Sequence, residues 1–458
     1  MPQEFVGPSV DWYALSPLLV LVGGGLLLLV VGAMTPRWPR GLYAFVTACT
    51  AGAAGVIATL HWRELDDGAP TTLVADALAF DLLAQFLTIT ICAAVVLVAL
   101  LCDDDVRDTD RDGPEVFALV LMVAAGGVVM AAANDLIVLF LGLETLSLAL
   151  YVLVASDRRR SESQEGGMKY FVLGGFASAF FLYGVALIYG ATGSTNISRI
   201  VEGFQVSVET GREDALILAG IALMLVGLGF KVGSVPFHVW IPDVYQGAPT
   251  PITALMSSVG KVAAFGALLR VLVVMLPFHR DDWRPVIWVL ALLSLLIAPV
   301  LAIMQSNIKR MLAFSSIGHV GFMLVALEAA GHRAGEADPG TGMRSLVVYL
   351  LIYSVLTIGT LAVVATVSRA RGGDTSLSTL SGLAGRHPLV AACLTLLLVA
   401  QAGVPLTAGF VAKFGAIQAA VQEESYAIAI IAMASAVVAA FIYLRIMVTV
   451  WMSDAPGA

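Results

Sequence analysis

The chain has 458 residues, of which 59% are hydrophobic and only 13% charged, against roughly 25% charged residues in a soluble domain. The net charge of -8 argues against nucleic acid or an anionic surface as a partner. Repeated apolar runs of roughly 20 residues match helices that cross about 30 Å of hydrocarbon, and not the alternating strands of a barrel. The composition therefore predicts an all-α integral membrane protein.

The hydropathy pattern divides the chain into thirteen predicted transmembrane spans, which form a polytopic bundle. Their limits follow the apolar runs and the intervening charged or glycine- and proline-rich loops. In chain order the predicted spans are 16–34, 41–60, 80–101, 115–133, 135–155, 168–190, 214–242, 251–276, 283–304, 309–330, 345–370, 388–421 and 425–452.

Two of these spans, 214–242 and 388–421, are long and interrupted. Pro236 breaks the first and Pro405 breaks the second, each in glycine-rich surroundings. A break of this kind frees backbone carbonyls at membrane depth, which is tolerated only where protein or water satisfies them. Both spans are therefore predicted to be broken helices that line a polar interior.

The paired breaks also indicate an internal repeat. Each broken span carries a lysine near its proline, Lys231 in the first and Lys413 in the second, and paired broken helices are typical of inverted-repeat transporters. We therefore expect two inverted five-helix repeats. The predicted division is an N-terminal three-helix segment at 1–110, a first repeat at 111–277 and a second repeat at 278–458.

Basic residues are shared unequally between the two sets of loops. The loops after the first, third, fifth, ninth and eleventh spans hold most of them, including the run 158–160. Basic residues concentrate on the cytoplasmic side of a membrane. The pattern predicts a multi-pass protein whose N-terminus lies outside the cytoplasm.

The lysines are the most informative residues of the chain. Of 25 basic residues only five are lysine, and three of these lie well inside apolar spans, whereas the loops use arginine almost exclusively. Arginine stays charged in proteins, whereas a buried lysine can release its proton near neutral pH. The pattern indicates groups that exchange protons. The five lysines are Lys169, Lys231, Lys261, Lys309 and Lys413.

One acidic residue accompanies the buried lysines. Glu144 lies ten residues into the fifth span, on the order of 14 Å along the helix, and each buried ionisable group costs roughly 2.5 to 3.5 kcal/mol at a helix centre. A static ion pair between Glu144 and one lysine would pin the helices together. Because one central acid faces three central lysines, a titrating relay is the favoured interpretation, and His238 and His319 would extend it.

Other polar and small residues receive structural interpretations. Arg270 and Arg445 lie toward span ends and are expected to snorkel to the interface. Gly174 and Ser178 form a small-residue face typical of close helix packing. No residue is assigned to a metal or a cofactor, because the cysteines form no closely spaced pair. They are Cys49, Cys92, Cys102 and Cys393.

Several motifs resemble one protein family. The segments "KVGSVPFHVWIPDVYQGAPTP" (231–251) and "QSNIKRMLAFSSIGHVGFML" (305–324) are long and specific, and "LGLETLSLALYVL" and "GVPLTAGFVAKF" accompany them in the expected order. They closely resemble the subunit N family of the bacterial proton-translocating NADH:quinone oxidoreductase, respiratory complex I. The likeness extends over essentially the whole chain.

The resemblance implies an antiporter-like subunit in the membrane arm of an enzyme of the bacterial inner membrane. Its partners would be other membrane-arm subunits, including antiporter-like neighbours, and the lipid bilayer. FMN, iron–sulfur clusters and quinone would lie in partner subunits, with no cofactor in this chain. The family has fourteen helices, so the last one is expected to be either absent or missing from this sequence.

The resemblance also assigns roles position by position. Glu144 matches the glutamate of the family's helix 5, and Lys309 is expected to be an anchor at the cytoplasmic end. The remaining four lysines match the family's lysines of helix 6, broken helix 7, helix 8 and broken helix 12. In that order they are Lys169, Lys231, Lys261 and Lys413.

The leading hypothesis is a proton relay coupled to electron transfer elsewhere in the complex. It consists of Glu144, Lys231, Lys261 and Lys413, with Lys169, His238 and His319 as auxiliary groups. One alternative is a cation/proton antiporter or membrane-hydrogenase subunit of the same fold, which would not co-purify with flavin-bearing, NADH-oxidising subunits. Another is a structural membrane spacer, which would tolerate arginine at the central lysines.

Overall fold

The computed structural model describes residues 10–35, 38–39, 41–66, 70–106, 113–209, 215–336, 338 and 340–454. Within these ranges the chain is almost entirely helical, and the predicted boundary at residue 110 lies outside them. The helices are α1 Ser16–Met34, α2 Leu42–Asp66, α3 Leu82–Val106, α4 Pro114–Ala132, α5 Leu136–Val154, α6 Ser161–Thr192, α7 Ile197–Glu209, α8 Ala215–Val232, α9 Trp240–Gly247, α10 Thr250–Leu255, α11 Lys261–Leu268, α12 Arg280–Ile303, α13 Ile308–His332, α14 Gly340–Arg369, α15 Leu383–Arg386, α16 Pro388–Ala402, α17 Ala408–Gln422 and α18 Tyr426–Met452. Two strands, β1 Thr71–Leu73 and β2 Leu78–Phe80, form a hairpin.

Twelve helical segments in the described part of the chain are long and apolar enough to cross a membrane. This confirms the predicted all-α polytopic membrane class. The predicted span 388–421 is not one of the twelve, because it consists of two 15-residue helices, α16 and α17. Each of these helices is shorter than the roughly 20 residues that a complete crossing needs.

Both predicted interruptions are present, and glycine makes each one possible. α8 ends at Val232, and Gly233 follows with φ 75°; α16 ends at Ala402, and Gly403 follows with φ 85°. A residue that carries a Cβ is strained at such a positive φ, whereas glycine is not. At Gly233 a Cβ would also collide with the side chain of Ile241. The two breaks are therefore encoded locally by glycine followed by proline.

Two helices of the bundle, α5 and α13, begin with the same backbone pairing. Before α5, segments 134–136 and 195–197 exchange two backbone hydrogen bonds of 2.9 and 2.8 Å, and before α13, segments 306–308 and 375–377 do the same. Five crossings separate the two starts: α5, α6, α8 with α9, α10 with α11, and α12. An odd number of crossings puts the pairings on opposite sides, as an inverted repeat would. The division into repeats at 111–277 and 278–458 stays a prediction.

The centre of the bundle is formed by α10, α11 and α13. The apolar part of α13 is completely buried, and the apolar part of the helix from Thr250 to Met275 is almost completely buried. A π-helical turn, Met256–Gly260, joins α10 to α11 and ends immediately before Lys261. Such turns widen a helix by one residue and are frequent at functional sites. The most enclosed helices therefore carry Lys261 and His319.

The expectation that Arg270 snorkels is wrong. Its side chain is buried, donates two hydrogen bonds to the Asp81 carboxylate (2.6 and 2.7 Å) and donates a third from Nε to the Ala131 carbonyl (2.9 Å). Arg445 also has carbonyl partners, since its Nη1 donates to Ile303 and Gln305 at the end of α12 (2.6 and 3.0 Å). The Arg270 partners lie far away in sequence, which is why its position in the span misled.

We expect Asp81→Asn to lower the free energy of unfolding by about 3 kcal/mol, because it leaves the Arg270 guanidinium buried without its anion. The double variant with Arg270→Gln removes both charges and should recover most of that loss. The midpoint of thermal unfolding of the purified membrane protein measures the effect. Equal midpoints for Asp81→Asn and the unsubstituted protein would contradict this interpretation.

Candidate functional site

The first part of the site lies where α5, α6 and α8 meet. The Glu144 carboxylate accepts a hydrogen bond from the Ser178 hydroxyl, and the Lys231 ammonium donates to Ser147 Oγ at 2.5 Å. Within the described ranges no basic side chain lies within 4.0 Å of the Glu144 carboxylate. Glu144 and Lys231 are thus neighbours, each held by a different serine and not by the other.

Two tyrosines complete the surroundings of the Lys231 ammonium. Its Nζ lies 5.4 Å from the centre of the Tyr170 ring and 5.7 Å from that of Tyr151. Lys231 stands one residue before the end of α8, where a helix favours positive charge. The helix end, one hydroxyl and two ring faces therefore stabilise a cation without a carboxylate in contact.

Lys261 occupies the next position toward the centre of the protein. Its side chain is fully enclosed, and its ammonium donates to the backbone carbonyl of Ser316 at 3.0 Å. The hydroxyl of the same serine accepts a hydrogen bond from Tyr353 (2.9 Å). A cavity of about 10 Å³ lies between Lys231 and Lys261 and is also lined by Tyr245. That volume is about what one water molecule requires.

His319 continues the line on α13. Its Nδ1 and Nε2 are hydrogen-bonded to the hydroxyls of Tyr349 (2.8 Å) and Tyr443 (3.0 Å), and Tyr443 also contacts Ser315 Oγ (2.6 Å). Tyrosine hydroxyls both donate and accept. Either tautomer of the imidazole is therefore satisfied, which suits a group that passes a proton between its two nitrogens.

Lys413 ends the line on α17. Its ammonium donates to the Ala402 carbonyl (2.9 Å), one of the carbonyls freed by the break between α16 and α17. A second cavity of about 10 Å³ is lined by His319, Tyr443 and Lys413. The structure therefore brings Glu144, Lys231, Lys261, His319 and Lys413 into one line, with a water-sized space at two of its steps.

Lys169 and His238 lie outside this line. Lys169 is 40% exposed at its side chain and pairs with Glu165 (2.6 Å) and Asp243 (2.7 Å), and Asp243 in turn pairs with Arg310 (2.6 Å). His238 stands on the turn that follows α8, and its Nδ1 has no hydrogen-bond partner among the described residues. Neither side chain directly contacts the central lysines.

Lys309 serves a different purpose from the other buried lysines. Its ammonium donates to the carbonyls of Gln246 and Ala248 at the end of α9, where the helix leaves carbonyls unpaired. The next residue, Arg310, pairs with Asp243 of α9. Lys309 therefore anchors α9 to the start of α13, as the sequence suggests for an anchor.

Sequence reasoning missed the hydroxyl groups of the line. Ser178 was expected only to permit close packing, yet it donates to Glu144, and Ser147 received no role at all. The spacing offered a signal, because Ser147 follows Glu144 by three residues and so lies on the same helix face. The other hydroxyls come from distant helices, and sequence spacing gives no indication of them. They belong to Ser315, Ser316, Tyr349, Tyr353 and Tyr443.

A buried carboxylate away from the central line was also missed. Glu328 near the end of α13 pairs with Arg284 of α12 (2.9 Å), accepts a hydrogen bond from Ser425 before α18 (3.1 Å) and lies 3.3 Å from His332. Its side chain is only 4% exposed. This cluster joins three helices at one end of the second half and has no contact with the central line.

We expect Glu328→Gln to lower the free energy of unfolding by about 3 kcal/mol, because the Arg284 guanidinium loses its buried anion. Glu336→Gln is the matched control, since Glu336 is half-exposed and its oxygen lies 3.8 Å from Arg333. Exposed pairs contribute about 0 to 1 kcal/mol. The fraction of chain that stays soluble in detergent on heating would separate the two variants, and similar losses from both would contradict the assignment.

The chain is similar to proteins of energy-coupled membrane complexes. Residues 133–439 match the family described as NADH:quinone oxidoreductase/Mrp antiporter. NADH-quinone oxidoreductase subunit N of Mycobacterium tuberculosis is 39% identical, and the alignment covers 98% of this chain and 91% of that protein. The alignment with that protein covers almost the whole of this chain.

Solved structures show the same fold. A chain of respiratory complex I from Thermus thermophilus is 31% identical with a TM-score of 0.78, covering 96% of this chain and 92% of that one. A chain of the membrane-bound sulfane sulfur reductase, an archaeal respiratory membrane complex, is 26% identical with a TM-score of 0.85, covering 98% and 91%. The fold thus occurs in more than one kind of respiratory complex.

Proposed function

Because the chain belongs to the NADH:quinone oxidoreductase/Mrp antiporter family, and within it to the N subunits of NADH-quinone oxidoreductase, we propose that its buried line of groups carries protons. The chain is an antiporter-like subunit of the membrane arm. The proposal rests on the spatial order of five ionisable side chains across the bundle, with a water-sized cavity at two of the steps between them. They are Glu144, Lys231, Lys261, His319 and Lys413.

The central lysines are suited to release protons because their nearest partners are neutral. Lys231 donates to a serine hydroxyl, and Lys261 and Lys413 donate to backbone carbonyls. An amine held by a carbonyl can lose its proton without leaving an unpaired carboxylate in the protein interior. Moving one charge against a membrane potential requires about 2.3 kcal/mol per 100 mV, which a few desolvated polar contacts can supply.

The proton moves in three transfers. A change in the separation of Glu144 and Lys231 lets Lys231 release its proton into the cavity that it shares with Lys261. Lys261 then passes the proton to the imidazole of His319. The Lys261 ammonium and the His319 ring lie against the same ring, that of Tyr353, at 5.7 and 5.0 Å from its centre. Tyr443 and the second cavity then lead to Lys413. Redox energy drives these steps from elsewhere in the complex.

The redox chemistry belongs to other subunits in this proposal. FMN, iron–sulfur clusters and quinone are placed in partner chains. Within the described residues no group of three or more histidine, cysteine or acidic side chains is arranged to hold a metal ion. This chain contributes the proton path, and partner chains contribute electrons.

The protein is placed in the bacterial inner membrane with its N-terminus outside the cytoplasm. The arginine run 158–160 precedes α6, and an even number of crossings separates that end from the start of α13, which carries Arg310. The cluster of Lys169, Asp243 and Arg310 therefore lies on the arginine-rich, cytoplasmic side. Lys169 is proposed to be an auxiliary group on that side.

Lys231→Arg in the assembled complex is the decisive variant. Arginine keeps the positive charge but does not deprotonate, so we expect proton translocation to fall on the order of 100-fold, the range of a lost proton-transfer group. NADH:quinone turnover and proton uptake are measured together in reconstituted vesicles. The matched control is the reverse exchange, Arg445→Lys, which keeps a donor to two carbonyls outside the line.

The outcome separates a relay from a spacer. Loss of translocation in a fully assembled Lys231→Arg complex, with Arg445→Lys active, supports the relay. Normal translocation in Lys231→Arg would overturn it, since a fixed charge would then suffice. Blue-native electrophoresis of the same membranes establishes that each variant assembles.

A partner subunit is proposed to cover the break between α16 and α17. Val404 is 45% exposed and Leu406 fully exposed there, yet irregular backbone does not face lipid at membrane depth. The first break is covered within the chain, where the Val235 N–H donates to Ser294 Oγ of α12 at 3.0 Å. A neighbouring antiporter-like subunit would supply the equivalent helix at the second break.

This docking is testable with a single cysteine at Leu406 in a chain whose four native cysteines are serine. We expect a membrane-permeant maleimide to label Leu406→Cys slowly in the intact complex and rapidly once the subunits are separated. Leu26→Cys on α1, also an exposed apolar position, serves as the control for reagent access. Rapid labelling of Leu406→Cys in the intact complex would exclude the covered break.

A further inference from the structure

In the described part of the chain, no carboxylate contacts the Lys231 ammonium. The ammonium donates to Ser147 Oγ (2.5 Å) and lies 5.4 and 5.7 Å from the ring centres of Tyr170 and Tyr151. All four side chains are buried. Aromatic faces attract a cation most strongly where water is absent, so this pocket holds a charge that would otherwise need a carboxylate.

The serine in this pocket is oriented to accept. Its hydroxyl donates to the Leu143 carbonyl one turn back along α5, and its lone pairs therefore remain for Lys231. The hydroxyl proton is the only one Ser147 has. Ser147 can therefore only accept from Lys231. It accepts more strongly from the charged ammonium than from the neutral amine.

The tyrosine faces are held rigidly by the second half of the broken helix. Tyr170 stacks on Trp240 of α9 with ring centres 4.6 Å apart, and Trp240 Nε1 donates to the carbonyl of Phe230 on α8 (3.1 Å). Tyr151 meets Tyr170 edge to face at 4.8 Å. The pocket is thus built jointly by α5, α6 and both halves of the broken helix.

We propose that Ser147, Tyr151 and Tyr170 form a neutral holding site for the Lys231 ammonium, an alternative to contact with the Glu144 carboxylate. Glu144 precedes Ser147 by three residues on the same face of α5, about 5 to 6 Å away between Cβ atoms. The lysine therefore needs only a side-chain rearrangement to move from one site to the other. Ser147 is a positioning residue that sets how readily the pair separates. The inference rests on the proposed function.

The test is a double-mutant cycle in the assembled complex in vesicles. Ser147→Ala removes the holding site, and we expect proton translocation to fall about tenfold, the effect of losing one hydrogen bond to a charged group. Glu144→Gln removes the other site. Two sites for one ammonium are energetically coupled, so the double variant should differ from the product of the single effects.

Matched variants separate positioning from packing. Ser147→Thr keeps the hydroxyl and should restore translocation, and Tyr170→Phe keeps the ring and should act like the unsubstituted protein, whereas Tyr170→Leu should not. Thr145→Ala is the control, because its hydroxyl also bonds a carbonyl one turn back on α5 but faces away from Lys231. It should leave translocation unchanged.

The outcomes also distinguish this inference from the relay on which it rests. Strictly multiplicative effects of Ser147→Ala and Glu144→Gln, or full activity of both Ser147→Ala and Tyr170→Leu, would overturn the holding site alone. If Lys231→Arg and Glu144→Gln both translocate normally, the relay itself fails. If Ser147→Ala does not assemble, proton translocation by Tyr170→Leu is compared with that by Tyr170→Phe. Full translocation by Tyr170→Leu would then overturn the holding site.

Discussion

A charge inside a hydrocarbon layer must have a polar partner, and the kind of partner determines what the charge can do. Near the ends of the bundle some partners are opposite charges, as in Arg270 with Asp81 and Arg284 with Glu328, whereas Lys309 donates to carbonyls. In the middle the partners are hydroxyls and carbonyls. Ion pairs hold a fixed geometry because either charge alone is costly. Neutral partners leave an amine free to gain and lose its proton, which the proposed proton path requires of Lys231, Lys261 and Lys413.

The second broken helix makes one of the neutral contacts available. A continuous helix uses its carbonyls internally, whereas a break frees several of them at membrane depth. Lys413 uses one of the freed carbonyls, that of Ala402, and Lys231 stands at the other break, on the last turn of α8. Glycine at positive φ makes both breaks possible. At the second break the same local feature therefore interrupts the helix and supplies the carbonyl that receives Lys413.

Sequence reasoning succeeded where one residue type carries the information. Apolar run length predicted the membrane class, glycine with proline predicted both breaks, and the choice of lysine over arginine pointed to three members of the central line. It failed where a partner comes from a distant helix. Arg270 was misjudged because Asp81 precedes it by almost two hundred positions, and Ser178 was judged by its size and not by its hydroxyl. Serine and tyrosine are common in membrane helices, so only the packed structure reveals which of them meet an ionisable group.

α13 has one further consequence. The adjacent residues Ser315 and Ser316 face different parts of the line: the carbonyl of Ser316 receives Lys261, and the side chain of Ser315 meets Tyr443 beside the cavity of Lys413. Any turn of α13 about its own axis must therefore disturb both contacts together. A displacement of α13 would therefore reach both halves of the proposed path at once.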